Sequence, residues 1–92
     1  MSSVERHLHF EDALYLLKGG AKIARAGWNG KGMFIYLVPA DEYPARTRAA
    51  ASHFGPMVPY RAYIALKTST NEVVPWVASQ ADILENDWRV AE

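Results

Sequence analysis

The residues best equipped for chemistry lie in one short run, Gly27-Trp28-Asn29-Gly30-Lys31-Gly32-Met33. Its three glycines permit backbone angles that other residues reach only with strain, which marks a turn. A turn of this kind leaves several main-chain N–H groups free, and together such groups can hold an anion. Trp28 offers a flat face for stacking, Asn29 both donates and accepts hydrogen bonds, and Lys31 supplies a cation. The plainer reading of the same residues is a hairpin turn beside one core tryptophan.

Other chemistry has weaker support. Gly27, Gly30 and Gly32 do not follow the dinucleotide-binding spacing, no helix is expected after them, and no Gly-Lys-Ser/Thr is present. A phosphate nest of another kind stays open. His7, His9 and His53 read as surface histidines, since no carboxylate or cysteine stands at a metal-ligand spacing. Ser52-His53 and Ser79 lack a nucleophile elbow, so no catalytic residue is assigned. Asp82 and Glu85, one helical turn apart, have the form of an acid–base pair, but a capping carboxylate and a solvated one is the simpler account. Among the aromatics Trp28, Trp76, Trp88, Tyr36, Tyr60 and Tyr63, Trp88 reads as core. Trp28 and Trp76 sit beside glycine or proline at element ends, which suits ligand stacking as well as packing.

The elements that must position these residues follow from periodicity. Residues 1–8 are expected to be a loose tail. Phe10, Ala13, Leu14 and Leu17 repeat at i, i+3, i+4, i+7, which predicts a helix with one buried face. Glu11 and Asp12 suit its first turn, Lys18 its last, and Gly19-Gly20 its end. Tyr15 and Leu16 widen the apolar surface, as a contact with another subunit requires. A short strand is expected over 21–25 and an almost wholly apolar one over 33–38, as in a central strand covered on both faces; Pro39 ends it. Residues 41–59 read as a long loop with one short helical turn at 45–51, a flap over a site or an interface arm. A long strand over 60–68 puts Tyr60, Ala62, Ile64 and Leu66 on one face. A turn at 69–72, a return strand at 73–74, a Ser79-capped helix over 79–86 and a last strand over 87–90 complete the chain. The class is α+β, a small antiparallel sheet of about five strands with an N-terminal helix and a short C-terminal helix.

Ninety-two residues make a single domain, 1–92, close to the lower size at which a chain folds alone. So small a domain most easily forms a sizeable pocket between subunits. Ten basic and ten acidic residues give zero net charge, which argues against polymeric nucleic acid as partner but not against a small phosphorylated ligand. The absence of cysteine rules out disulfides and thiolate metal sites and fits a cytoplasmic setting. No apolar run reaches the roughly 20 residues that span a bilayer, and the first residues lack a signal peptide's apolar stretch.

Two motifs together resemble a family of small phage proteins, the second Thoeris anti-defence family. The first is Phe10-x-x-Ala13-Leu14-x-x-Leu17-Lys18-x-Gly20 followed by Ile23-Ala24-Arg25-x-Gly27-Trp28-Asn29-Gly30-Lys31-Gly32-Met33-Phe34. The second runs from Tyr60-Arg61 through Leu66-Lys67-Thr68 to Val74-Pro75-Trp76-Val77-Ala78-Ser79-Gln80-x-Asp82-x-Leu84-x-x-Asp87-Trp88. The chain departs from the family pattern at Ala62-Tyr63 and at Ser69-Thr70-Asn71. The resemblance implies a phage anti-defence protein, not an enzyme. Such a protein sequesters a cyclic ADP-ribose-type signal inside the infected bacterium and so blocks TIR-dependent Thoeris immunity. It implies no cofactor, and a cytoplasmic homotetramer with pockets between subunits. The alternatives are a cyclic dinucleotide sponge and an inhibitor that binds a host enzyme directly. Under this implication Trp28 or Trp76 stacks on the base, worth about 1–3 kcal/mol. Arg25, Lys31 and the turn's N–H groups, Gly30 among them, hold phosphates. Asn29, Ser79, Gln80 and Asp82 take hydroxyls and base edges, with Phe34 at the start of the adjoining strand.

Overall fold

The computed structural model describes residues 7–91. Helix α1 (Phe10–Lys18) forms where the apolar spacing places it, with Ala13 and Leu17 fully buried. The Asp12 carboxylate accepts the His9 N–H at 3.2 Å at its start. At its end the N–H groups of Gly19 and Gly20 donate back into the last turn, and Gly20, at φ +100°, turns the chain away. In chain order there follow β1 (Ile23–Arg25), β2 (Phe34–Val38), β3 (Asp41–Pro44), α2 (Arg48–Phe54) and β4 (Met57–Tyr60). The chain then continues through β5 (Tyr63–Lys67), β6 (Val73–Pro75), α3 (Gln80–Leu84) and β7 (Trp88–Val90).

Five strands make one antiparallel sheet in the order β6-β5-β2-β1-β7. With its helices the sheet gives the α+β class that the periodicity indicates. Register puts Ile23, Ile35 and Leu66 in one row, and α1 packs over that face. Ala13, Leu17, Ile23, Ile35 and Trp88 form the buried centre. Trp88 gathers the aromatics: its ring centroid lies 5.4 Å from Phe10, 5.5 Å from Trp28 and 6.0 Å from Trp76. Its indole N–H donates to the Asp82 carbonyl at 2.8 Å, which ties β7 to α3. The large side chains that are fully buried are Trp88, Leu17, Ile23 and Ile35. At roughly 1.5–3 kcal/mol for each such aliphatic burial, every one of them is a large share of the stability of a domain this size.

The structure departs from the sequence pattern in three places. Residues 41–59 are not a loop: β3 and β4 pair as a separate two-stranded hairpin that carries α2 at its tip. Thr47 caps α2 by accepting the Ala50 N–H at 3.2 Å. The molecule is correspondingly long, 56 × 25 × 24 Å. The strand expected over 60–68 is broken at Arg61-Ala62, where the chain passes from the hairpin into the main sheet; its alternation holds only within β5. Third, β2 is backed by a helix on one face alone. Phe34, Tyr36 and Val38 point to the other face with Tyr63, Ala65 and Lys67, and no helix among the described residues covers them. The tail expected over 1–8 lies mostly outside the described residues, but Leu8 is bridged to Trp88. Among the described residues no helix is long and apolar enough to cross a membrane.

Two substitutions separate packing from hydrogen bonding at the centre. Trp88→Ala is expected to cost about 3–5 kcal/mol. Trp88→Phe keeps most of the packing but leaves the Asp82 carbonyl without its donor, and is expected to cost about 1–3 kcal/mol. Urea titration followed by circular dichroism measures both.

Candidate functional site

The turn between β1 and β2 borders a cleft of about 420 Å3 whose wall includes Ala24, Arg25, Trp28, Gly30, Gly32, Met33, Phe34, Lys67 and Arg89. Strand register explains the grouping. Ala24 pairs with Arg89, and Phe34 pairs with Lys67, so these side chains project from the face that α1 leaves open. Lys67 donates to the Gly32 carbonyl at 3.1 Å. The ammonium groups of Lys22 and Lys67 stand 5.1 and 5.8 Å from the centre of the Phe34 ring, a weak cation–π arrangement at this exposure. A chain of zero net charge thus concentrates cations around one aromatic recess.

The turn is shaped for close approach. Gly32 holds φ +72°, a left-handed conformation that favours glycine. A Cβ on Gly30 would run into the Met33 side chain and stand 3.1 Å from the Ser69 Cβ. Among the described residues, the N–H groups of Asn29, Gly30, Lys31 and Gly32 donate to no backbone or side-chain acceptor. Four successive main-chain donors are therefore available at the edge of the recess, an arrangement that suits an oxyanion.

Behind the turn lies a polar hub. Arg25 reaches Asp87 Oδ1 through Nε at 2.8 Å and Asp82 Oδ1 through Nη1 at 2.8 Å. Asp82 Oδ1 also accepts the Trp28 indole N–H at 3.3 Å, while Asp82 Oδ2 accepts the Ser79 N–H at 2.9 Å. The Ser79 hydroxyl accepts the Asp82 N–H at 3.0 Å, closing a capping box at the start of α3. Asp87 Oδ2 accepts the Gly27 N–H at 2.9 Å. The pKa values follow. Burial pushes the Asp82 carboxyl up, but the Ser79 N–H, the Arg25 guanidinium and the Trp28 indole outweigh it, and the result lies below the usual carboxylate value. Arg25 holds Asp87 below it, against a smaller effect of burial. The hydrogen bond to Asp87 in turn raises Arg25.

The residues singled out in the sequence divide into three groups. Arg25, Trp28, Gly30 and Phe34 line the cleft, and Asn29 and Lys31 lie exposed on the adjoining turn. Asp82 stands behind Trp28, buried, with both oxygens engaged inside the protein; Arg25 is likewise committed to two carboxylates. Trp76 packs against Phe10 and Trp88, Ser79 caps α3 and Gln80 opens it, and none of these three borders the cleft. Sequence reasoning missed Lys22 and Lys67 as neighbours of Phe34 and Arg89 as part of the same cleft wall. Their alternation along the strands was legible, but their meeting depends on the register of three strands far apart in the chain. Among the described residues no group of three or more His, Cys, Asp or Glu stands where it could hold a metal ion.

Fold and cleft together define a small α+β domain whose sheet is backed by a helix on one face and carries a cationic, aromatic recess at the edge of the other. Residues 8–91 match the Thoeris anti-defense 2-like domain, and the chain belongs to that family. It is 37% identical over 92 residues to Thoeris anti-defense 2 of Bacillus phage SP01, an alignment covering 90% of this chain and 93% of that protein. The family is one of anti-defence proteins.

The hub sets an acid limit. Asp82 and Asp87 both have folded-state values below the 3.8 of the free carboxyl, so their contribution is complete above about pH 5 and is lost as pH falls through the depressed values. Wild-type stability is expected to be flat from about pH 7 to about pH 5 and to fall steeply below about pH 4. The stability gap between wild type and Asp87→Asn should narrow over the same acid range, as urea titrations at each pH will show.

Proposed function

We propose that this protein binds a cyclic ADP-ribose-type signalling nucleotide and holds it without cleavage, keeping it from the effector of a TIR-dependent Thoeris defence. The observation that carries the reading is the meeting of Lys67, Arg89 and the glycine turn, whose Gly30 and Gly32 line the wall, around a recess bordered by Trp28 and Phe34. A ligand with two phosphates, a purine and several hydroxyls needs cations, donors and flat faces, and those are what the recess offers. Its volume falls within the usual range for small-molecule pockets. Membership of the anti-defence family supports the same reading. In this role the protein is not an enzyme: it acts by stoichiometry in the cytoplasm of the infected bacterium, which calls for affinity near nanomolar, about −12 kcal/mol.

The sheet face that α1 leaves open supports completion of the pocket by a second copy within a homotetramer. Trp28 takes the base, Lys67 and Arg89 join Lys31 and the turn amides at the phosphates, and Asn29 takes a hydroxyl. Arg25 and Asp82 serve from behind, by fixing Trp28 and the turn. A second reading, capture of a cyclic dinucleotide, has its own observation. A cleft of about 380 Å3 at the root of the β3–β4 hairpin is lined by Tyr43, Tyr60, Tyr63 and Arg46, with the Tyr43 and Tyr60 rings 5.4 Å apart.

A capture-and-release experiment tests both. Protein in excess is mixed with isomers of cyclic ADP-ribose and with cyclic di-GMP and filtered; free ligand is quantified, and the retained protein is then heat-denatured. Depletion of the filtrate with intact ligand recovered on heating is expected. An altered product at substoichiometric protein overturns the non-enzymatic reading. Trp28→Ala and Lys67→Glu are each expected to weaken capture of cyclic ADP-ribose at least about tenfold, close to 1.4 kcal/mol. Tyr60→Ala should affect only cyclic di-GMP.

A further inference from the structure

We propose that Asp87 is the positioning residue of the ligand-facing turn, fixing the entry of that turn so that the Trp28 ring and the N–H groups after it stand where a ligand meets them. The proposal rests on the reading of the recess as the binding site. Its grounds are in the pattern of tethers. The turn is held at its exit by Lys67 on the Gly32 carbonyl, and between Asn29 and Gly32 no N–H is paired among the described residues. Its shape is therefore decided at the entry, where Trp28 donates through its main chain to the Arg25 carbonyl and through its indole to Asp82, and where Asp87 supplies three acceptors. Its main-chain oxygen takes the Ala26 N–H at 2.9 Å, Oδ2 takes the Gly27 N–H at 2.9 Å, and Oδ1 takes Arg25 Nε at 2.8 Å.

Two further observations separate Asp87 from an ordinary ion-pair partner. Arg25 already has Asp82, which is buried and also caps α3. Asp87 adds a second carboxylate to the hub, and its side chain is the one that also reaches the backbone of the turn, at the Gly27 N–H. Gly27 carries the complementary sign: a Cβ there would lie 2.9 Å from Asp87 Oδ2, so the side chain is absent at the point where the carboxylate takes hold of the backbone. Oδ2 also accepts from Arg25 Nη2 at 3.4 Å, so moving away from a Cβ there would disturb the ion pair as well.

The test pairs a ligand-free readout with a ligand readout. In the full-length protein, amide exchange at Gly27 and the NMR signal of the Trp28 indole N–H report the turn directly, and filtration with cyclic ADP-ribose isomers reports capture. In Asp87→Ala, under conditions where circular dichroism shows the native fold, Gly27 exchange is expected to accelerate about tenfold or more. The Trp28 indole signal should shift, and capture should weaken at least about tenfold. Gly27→Ala, which leaves Asp87 in place, should weaken capture similarly, and the double variant should lose little beyond either single one, because both disturb the same contact. If Asp87→Ala does not fold, Asp87→Asn, which can accept from only one of the two donors, should move every readout the same way by a smaller factor. Unchanged Gly27 exchange and an unmoved Trp28 signal in a folded Asp87 variant would overturn the proposal, as would undiminished capture by a variant whose turn has loosened. Wild-type protein that captures no nucleotide overturns the reading of the recess instead, and the exchange measurement then decides alone whether Asp87 governs the turn.

Discussion

One guanidinium ties together the elements that close over this domain's core. Arg25 sits at the end of β1, opposite Trp88 in register, and binds a carboxylate from α3 and another from the link into β7. Removing a charge from water is costly unless partners repay it, and here every polar atom of the cluster has one. The Ser79 amide, the Trp28 indole and the Gly27 amide complete the valences of the two aspartates. The hub also connects layers. Through Asp82 it meets the capped start of α3, through Trp28 it meets the aromatic cluster around Trp88, and through Gly27 it meets the turn beside the recess. Packing and the geometry of the recess thus share a single set of hydrogen bonds.

This sharing explains the division of labour among the aromatics. Trp88 is wholly buried and meets Trp28 and Trp76 in T-shaped contacts, the geometry that ring quadrupoles favour, and Phe10 in a tilted one. Trp28 is held by its T-shaped contact with Trp88 and by its hydrogen bond to Asp82, yet it borders the recess. A ring restrained in this way loses little freedom when something stacks on it, which lowers the entropic cost of binding. Phe34, on the other face, is instead framed by the ammonium groups of Lys22 and Lys67.

Much of this was legible in the sequence, and the limits have physical causes. The helical period of Phe10, Ala13, Leu14 and Leu17, the Gly19-Gly20 stop, the Ser79–Asp82 cap and the glycine turn are local signals, and local structure obeyed them. The helical turn expected at 45–51 is α2, whose bounds Thr47 before the alanine run and Gly55 after it mark; the prolines on either side hid the hairpin that carries it. Alternation from Tyr60 to Lys67 ran on through the break at Arg61-Ala62, because a pattern of period two does not register a strand changing sheets. The pairing of Arg25 with Asp82 and Asp87 spans more than fifty residues, and only the closed fold could reveal that these charges face each other rather than solvent.

The hairpin β3–α2–β4 gives the molecule a second, nearly separate fate. Its strands pair with one another alone, and two short links, Pro39-Ala40 and Arg61-Ala62, join it to the main sheet. A two-stranded unit of this kind is marginal in isolation, so it can melt and re-form as a local unit while the helix-backed sheet stays intact. Its sequence is also released from the demands of the Arg25 hub. A change in the outrigger's length or charge therefore leaves the recess and its glycine turn with all their own hydrogen bonds.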